Sequence, residues 1–166
     1  DGLFDLLSDA KTIHEETCGA HDISAGQLVR AWGFYKGPPR VPSPDELREA
    51  LERSGMRHVV LERSERTVRY LRHGIEINLG SIGKGYALDR VAELMSERGV
   101  TDYLCHGGRS SVLASGRDRG NDFDGWAVAV PNPHHLEREL GHIILRDDAL
   151  GTSGAGTQFF EAGGRR

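Results

Sequence analysis

At 166 residues with 37% hydrophobic content, the chain is long enough to enclose one core and too short for two comfortable ones. Its 21 Lys and Arg against 25 Asp and Glu give a formal net charge of -4, which argues against a nucleic-acid binder that relies on a general basic surface. No run approaches the roughly 18 apolar residues of a membrane span, and no basic and apolar leader opens the chain, although an exported precursor already trimmed would read the same way.

Leu3, Leu6, Leu7, Ala10, Ile13 and Thr17 recur near every 3.6 residues, with Asp5, Asp9, Lys11, Glu15 and Glu16 on the other side. The spacing predicts an amphipathic helix that Gly19 ends. Asp1 and Gly2 are weak start signals and suggest sequence upstream. Ala20, His21 and Asp22 form a short polar connection to residues 23–34, a short helical or irregular stretch with Leu28, Ala31 and Trp32 as its core contacts. After the Pro-rich loop 36–42, Ser43 is placed to cap a helix whose first position is Pro44, and Glu46 closes the capping box. Leu47, Ala50 and Leu51 are its expected buried stripe. Three strands are predicted next, over 58–62, 67–71 and 74–79, at hairpin spacing.

The stretch 75–91, IEINLGSIGKGYALDRV, organises the middle of the chain. Ile75, Ile77 and Leu79 alternate inward with Glu76 and Asn78. Ser81, Gly83, Lys84 and Gly85 then make a small-residue turn before Leu88, Val91, Leu94 and Met95 take up helical spacing. Two readings are open. Glycine amides, a helix N-terminus and the Lys84 charge suit a ligand phosphate; alternatively the turn is an ordinary strand-to-helix connection with a solvated lysine. A P-loop is excluded, because GxxxxGK[ST] would need Gly at position 78 and Ser or Thr at 85.

Further on, residues 103–105 and 111–114 are strand candidates flanking His106, Gly107, Gly108 and Arg109, where a double glycine marks a bulge or a close backbone approach. Strands are also predicted over 126–130, ended by Pro131, and over 141–145 and 149–152. Residues 153–157, SGAGT, form another small-residue turn, and Gly163 with Gly164 signals a hairpin at the end of the chain. Three small-residue turns at strand ends are expected to line one cleft. Cys18 and Cys105 do not make a disulfide framework and are expected to be two buried thiols. His134 and His135, adjacent in a Pro-rich loop, make a poor metal site by spacing. Helices early and strands late, without βαβ alternation, place the chain in the α+β class, with a largely antiparallel sheet packed against helices in one truncated domain over 1–166.

The segments HDISAGQLVRAWGF, INLGSIGKGYALDRVAELM, LCHGGRSSVLASG, WAVAVPNP and GTSGAGTQFF, in this order, resemble the motifs of the ApbE-like flavin transferases, the FAD:protein FMN transferases. The resemblance implies magnesium-dependent transfer of FMN from FAD to a threonine of a target flavoprotein. By position it implies that Ala20, His21 and Asp22 contact flavin, that Asn78 stands where an Asp usually does so, and that a backbone carbonyl at Ser81 contributes to magnesium. Lys84 matches the FAD-binding lysine and serves as electrostatic stabiliser. Gly107 and Gly108 match a glycine pair at the edge of the site, and Thr152, Ser153 and Gly154 match a TSG turn. Departures are Asn78, Arg109 after the double glycine, and Ala155 and Gly156 after TSG.

The resemblance further implies a fragment lacking both ends, with a flavin-contacting methionine segment before Asp1 and the side-chain magnesium ligands in an HxxDPxTG-like segment after Arg166. A lone carbonyl cannot hold a cation that prefers six oxygens, so the 166 residues alone are expected to be inactive. Family members are often exported, periplasmic or membrane-anchored, which leaves the localisation open. The alternative reading is a catalytically inactive flavin- or nucleotide-binding module.

Overall fold

The computed structural model describes residues 2–35, 38–108, 110–153, 161, 162 and 164, apart from the side chain of Leu136. The chain divides into two compact units that meet in sequence between Ile82 and Gly83. The first holds α1 (Gly2–Glu16), α2 (Gly26–Ala31), α3 (Pro44–Glu52), a single 3-10 turn (Met56–His58), and the antiparallel pair β1 (Val59–Glu62) and β2 (Thr67–Tyr70). The second holds α4 (Gly83–Glu97), β3 (Tyr103–His106), β4 (Ser111–Ser115), β5 (Trp126–Asn132), β6 (His135–Leu145) and β7 (Asp148–Gly151). β3, β4 and β7 form one antiparallel sheet in that order and β5 pairs with β6 in another. The α+β expectation holds: every ladder among the described residues is antiparallel, divided over three small sheets. Among the described residues no helix is long and apolar enough to cross a membrane.

The core of the first unit is Leu7, Ala10, Ile23, Met56 and Val59, with Leu61, Val68, Ile75, Ile77, Leu79 and Ile82 packed against it. α1 buries Phe4, Leu6, Leu7 and Ala10. Leu3 and Ile13, expected inward, are 58% and 37% exposed, because Phe4 rather than Leu3 begins the stripe. Past Glu16 the chain turns at Cys18 and Gly19, with φ 52° and 84°. Cys18 therefore lies off the helix and is exposed, while Cys105 is half-buried; neither is the buried thiol expected from composition. Around α2 the buried residues are Ile23, Ser24, Gly26 and Gly33, and the expected contacts Leu28, Ala31 and Trp32 are only half-buried.

α3 starts as its sequence dictates. Glu46 N–H donates to Ser43 Oγ at 3.3 Å, and Ser43 N–H donates to Glu46 Oε2 at 2.8 Å. The Arg40 guanidinium holds the same carboxylate at 2.7 and 2.9 Å, and with the Ser43 amide it lowers the Glu46 pKa to about 2. Only Ala50 of the expected stripe is buried, and Leu51 is exposed.

The predicted third strand over 74–79 is not one. Gly74, at φ 83°, turns the chain away after β2. The segment's backbone is spent instead on the loop before α2: Gly26 N–H donates to Glu76 O at 3.1 Å and Asn78 N–H to Ile23 O at 2.6 Å, making an isolated parallel bridge between Ala25 and Glu76. The alternation of Ile75, Ile77 and Leu79 reports the inward face correctly and the pairing partner incorrectly.

In the second unit α4 packs on β4, burying Leu88 and Ala114, while Leu94 stays exposed. β5 does not stop at Pro131. It continues to Asn132 with register shifts on either side of the proline, as expected where a strand residue has no N–H to give the ladder. β6 correspondingly begins at His135, so the second histidine of the expected loop is a strand residue and residues 135–140 add to the predicted 141–145.

Candidate functional site

In the first unit the loop 20–24 and the turn 78–82 are drawn together. Asp22 works inward: its Oδ1 accepts from Ser24 N–H at 2.8 Å and from Ser24 Oγ at 2.5 Å, and its Oδ2 accepts from Met56 N–H at 3.2 Å. Ser24, fully buried, accepts in turn from Gly55 N–H at 2.8 Å. The His14 ring donates from Nδ1 to the His21 carbonyl at 2.8 Å and lies 3.8 Å from Asp22 Oδ2. This clasp ties the loop to the turn that follows α3. The His21 ring reaches the other way, its Nε2 3.0 Å from Ser81 Oγ, with Nδ1 buried and unpartnered among the described residues.

The turn itself is braced twice. Asn78 Oδ1 accepts from Gly80 N–H at 2.8 Å, an Asx turn that a carboxamide and a carboxylate serve equally well. Upstream, Arg30 grips Glu76 with two hydrogen bonds, 2.6 and 3.0 Å, and Gln27 adds a third at 3.2 Å. The Arg30 guanidinium holds the Glu76 carboxyl below its usual pKa. Gly26 is required here, because a methyl group on it would lie 2.6 Å from Glu76 O.

In the second unit, Lys84 stands in the first turn of α4, and its ammonium donates to Ser110 Oγ in the β3–β4 connection. Ser110 O accepts from Thr152 N–H at 2.9 Å, and Ser111 O from Gly107 N–H at 2.9 Å. Of the double glycine, Gly108 adopts φ 69°, a left-handed conformation costly for other residues, whereas a methyl group at Gly107 would make only ordinary contact, 3.4 Å from Lys84 Cβ and 3.8 Å from Leu88 Cδ1. Lys84, Gly107, Gly108, Ser110 and Thr152 thus form one corner of small residues around the Lys84 ammonium.

Of the residues proposed from sequence, Ala20, His21, Asp22, Asn78 and Ser81 meet in the first unit, and Lys84, Gly107, Gly108 and Thr152 in the second. Ser153 is exposed beside Thr152. Gly154, Arg109, Ala155 and Gly156 lie outside the described residues. Sequence reasoning missed Ser24, Ser110 and His14. The D-x-S spacing of Asp22 and Ser24 is a turn signal that would have found the first; Ser110 carries no local signal. For magnesium the expected donor at Ser81 is its backbone carbonyl, and the described residues contain no group of three or more His, Cys, Asp or Glu able to hold a metal ion beside it.

Solved structures define the class of this fold. The ApbE protein of Thermotoga maritima superposes with a TM-score of 0.83 at 31% identity, covering 98% of this chain and 52% of that one. The flavin transferase ApbE of Vibrio cholerae does so at 0.80 and 26% identity, covering 97% and 52%. The ApbE family model matches residues 1–166, and the chain belongs to that family. Among curated relatives, the FAD:protein FMN transferases of Salmonella typhimurium and Klebsiella pneumoniae are 30% and 31% identical over the whole of this chain. The chain spans about half the length of these relatives, 48% of each.

Proposed function

We propose that residues 1–166 are part of one ApbE-like domain in an FAD:protein FMN transferase, which moves FMN from FAD to a threonine of a target flavoprotein with magnesium as the family's cofactor. The observation that carries this reading is the Lys84 corner, where the family's lysine, glycine pair and TSG threonine are gathered by the fold. Phosphoryl transfer asks chiefly for alignment and for fixed positive charge near the phosphoryl oxygens. Lys84 supplies that charge, and the Thr152 amide bond to Ser110 holds the serine beside it. Ala20, His21, Asn78 and Ser81 are the flavin-side residues of the same reading. Asp22 belongs to it as the residue that shapes their loop, since its oxygens already receive three internal donors.

The test is incubation of the full-length protein with FAD, magnesium and an acceptor flavoprotein. Covalent FMN on an acceptor threonine, dependent on magnesium, is the expected result; AMP release and acceptor labelling both absent would overturn it. One observation favours the second reading, a flavin-binding module without transfer activity. Asn78 spends its only oxygen on Gly80 and has an amide NH2 left, where an acid would keep an oxygen. Tight FAD binding without turnover would select that reading.

A further inference from the structure

We propose that Ser110 is a second donor to the pyrophosphate oxygens of the bound dinucleotide, acting side by side with Lys84. The inference rests on the reading of the Lys84 corner as the pyrophosphate site and adds a residue that the family resemblance did not supply. An ammonium has three protons and no acceptor, so in the Lys84–Ser110 pair the serine oxygen must accept. The hydroxyl proton of Ser110 then needs an acceptor elsewhere, and none of the described residues provides one. Lys84 likewise has two protons without a partner among the described residues. Three donors and no acceptor side by side present a demand for an oxyanion, and phosphate oxygens meet it with charge as well as lone pairs.

The serine is also held in place for this task. Its carbonyl accepts from the Thr152 amide at 2.9 Å, and the next residue closes the β3–β4 turn on Gly107 at 2.9 Å. Ser110 is half-buried and Lys84 is exposed. Accepting from a cation makes the hydroxyl a better donor. In this geometry Lys84 supplies charge and Ser110 supplies direction.

The experiment titrates FAD and riboflavin, which lacks phosphate, against the full-length protein and its Ser110→Ala, Ser110→Thr and Lys84→Met variants. Ser110→Ala is expected to weaken FAD about three- to tenfold, the range of one neutral hydrogen bond, to leave riboflavin unchanged, and to be rescued to within about twofold by Ser110→Thr. Equal FAD affinity of Ser110→Ala and the parent, with Lys84→Met weakened, overturns the role of Ser110 and leaves the site reading standing. Loss of riboflavin and FAD affinity in equal proportion in Ser110→Ala shows a purely architectural serine and overturns the role as well. Failure of the parent protein to bind FAD removes the site reading and this inference together.

Discussion

The Asp22 clasp and the Lys84 corner are built from the same kinds of group, a charged side chain, a serine and backbone amides, yet they are in opposite conditions. Around Asp22 each donor has found an acceptor inside the fold, and Ser24 is sealed from water. Around Lys84 the donors outnumber the acceptors, and the ammonium faces solvent. A satisfied polar cluster rigidifies and specifies its surroundings; a cluster with unmet donors is where a ligand adds something. Both positions match family motifs, and only the hydrogen-bond inventory separates their roles.

The sharpest way to break the comparison is Asp22→Ala. It strands the Met56 amide and both Ser24 donors, and the loss of hydrogen bonds to a charged acceptor should cost about 3 kcal/mol of stability. Urea unfolding checks this; a midpoint unchanged from the parent would show that the clasp contributes nothing. Lys84→Met should do the reverse, leaving the unfolding midpoint in place and weakening FAD by about ten- to a hundredfold, as loss of a charge-assisted hydrogen bond predicts. Equal dissociation constants at matched ionic strength would make Lys84 a solvated helix-start residue.

Gly26→Ala tests the brace behind the clasp. The added methyl meets the backbone oxygen of Glu76 at 2.6 Å, so an overpacking cost of about 1–2 kcal/mol is expected, read again from the urea midpoint. The smallest effect belongs to Glu46. Its folded pKa of about 2 lies below the ordinary 4.5, so its contribution is fully present above pH 4.5 and is lost as pH falls through about 2. The melting temperatures of parent and Glu46→Gln should differ modestly at pH 6 and converge near pH 2, with the pair's exposure and salt keeping the difference small. A difference that grows on acidification would reverse the sign of the argument.

What could be read from the sequence was local. The capping box of α3 and the β1–β2 hairpin each depend on residues a few positions apart, and each appears where expected; Gly83, Lys84 and Gly85, expected in a turn, already belong to α4. The segment 74–79 misled because alternation encodes which face is buried and says nothing of which strand, if any, lies alongside. β6 was underestimated because PNPHH reads as loop, and only the pairing with β5 shows that the second histidine is already in a strand. In the candidate site, the double glycine marked an irregularity of the backbone, which is the φ of 69° at Gly108. The Met56 amide on Asp22 was not legible, since it arrives from 34 residues away. Nor was Ser110, whose neighbourhood to Lys84 exists only once β3 and β4 have paired beside α4.

Pro131 has a consequence of a different kind. Among the described residues β5 and β6 pair only with each other and this ribbon has two open edges, and Leu140, Ile143 and Ile144 are exposed along it. An edge of that sort is a template on which a neighbouring molecule can crystallise its own strand, the first step of aggregation. The proline withholds one N–H, and the register shifts on both sides of it interrupt the regular spacing of the rest. A stray strand could find a few partners along β5 and then lose step, which makes this residue a guard on the colloidal behaviour of the protein, whatever ligand the other corners hold.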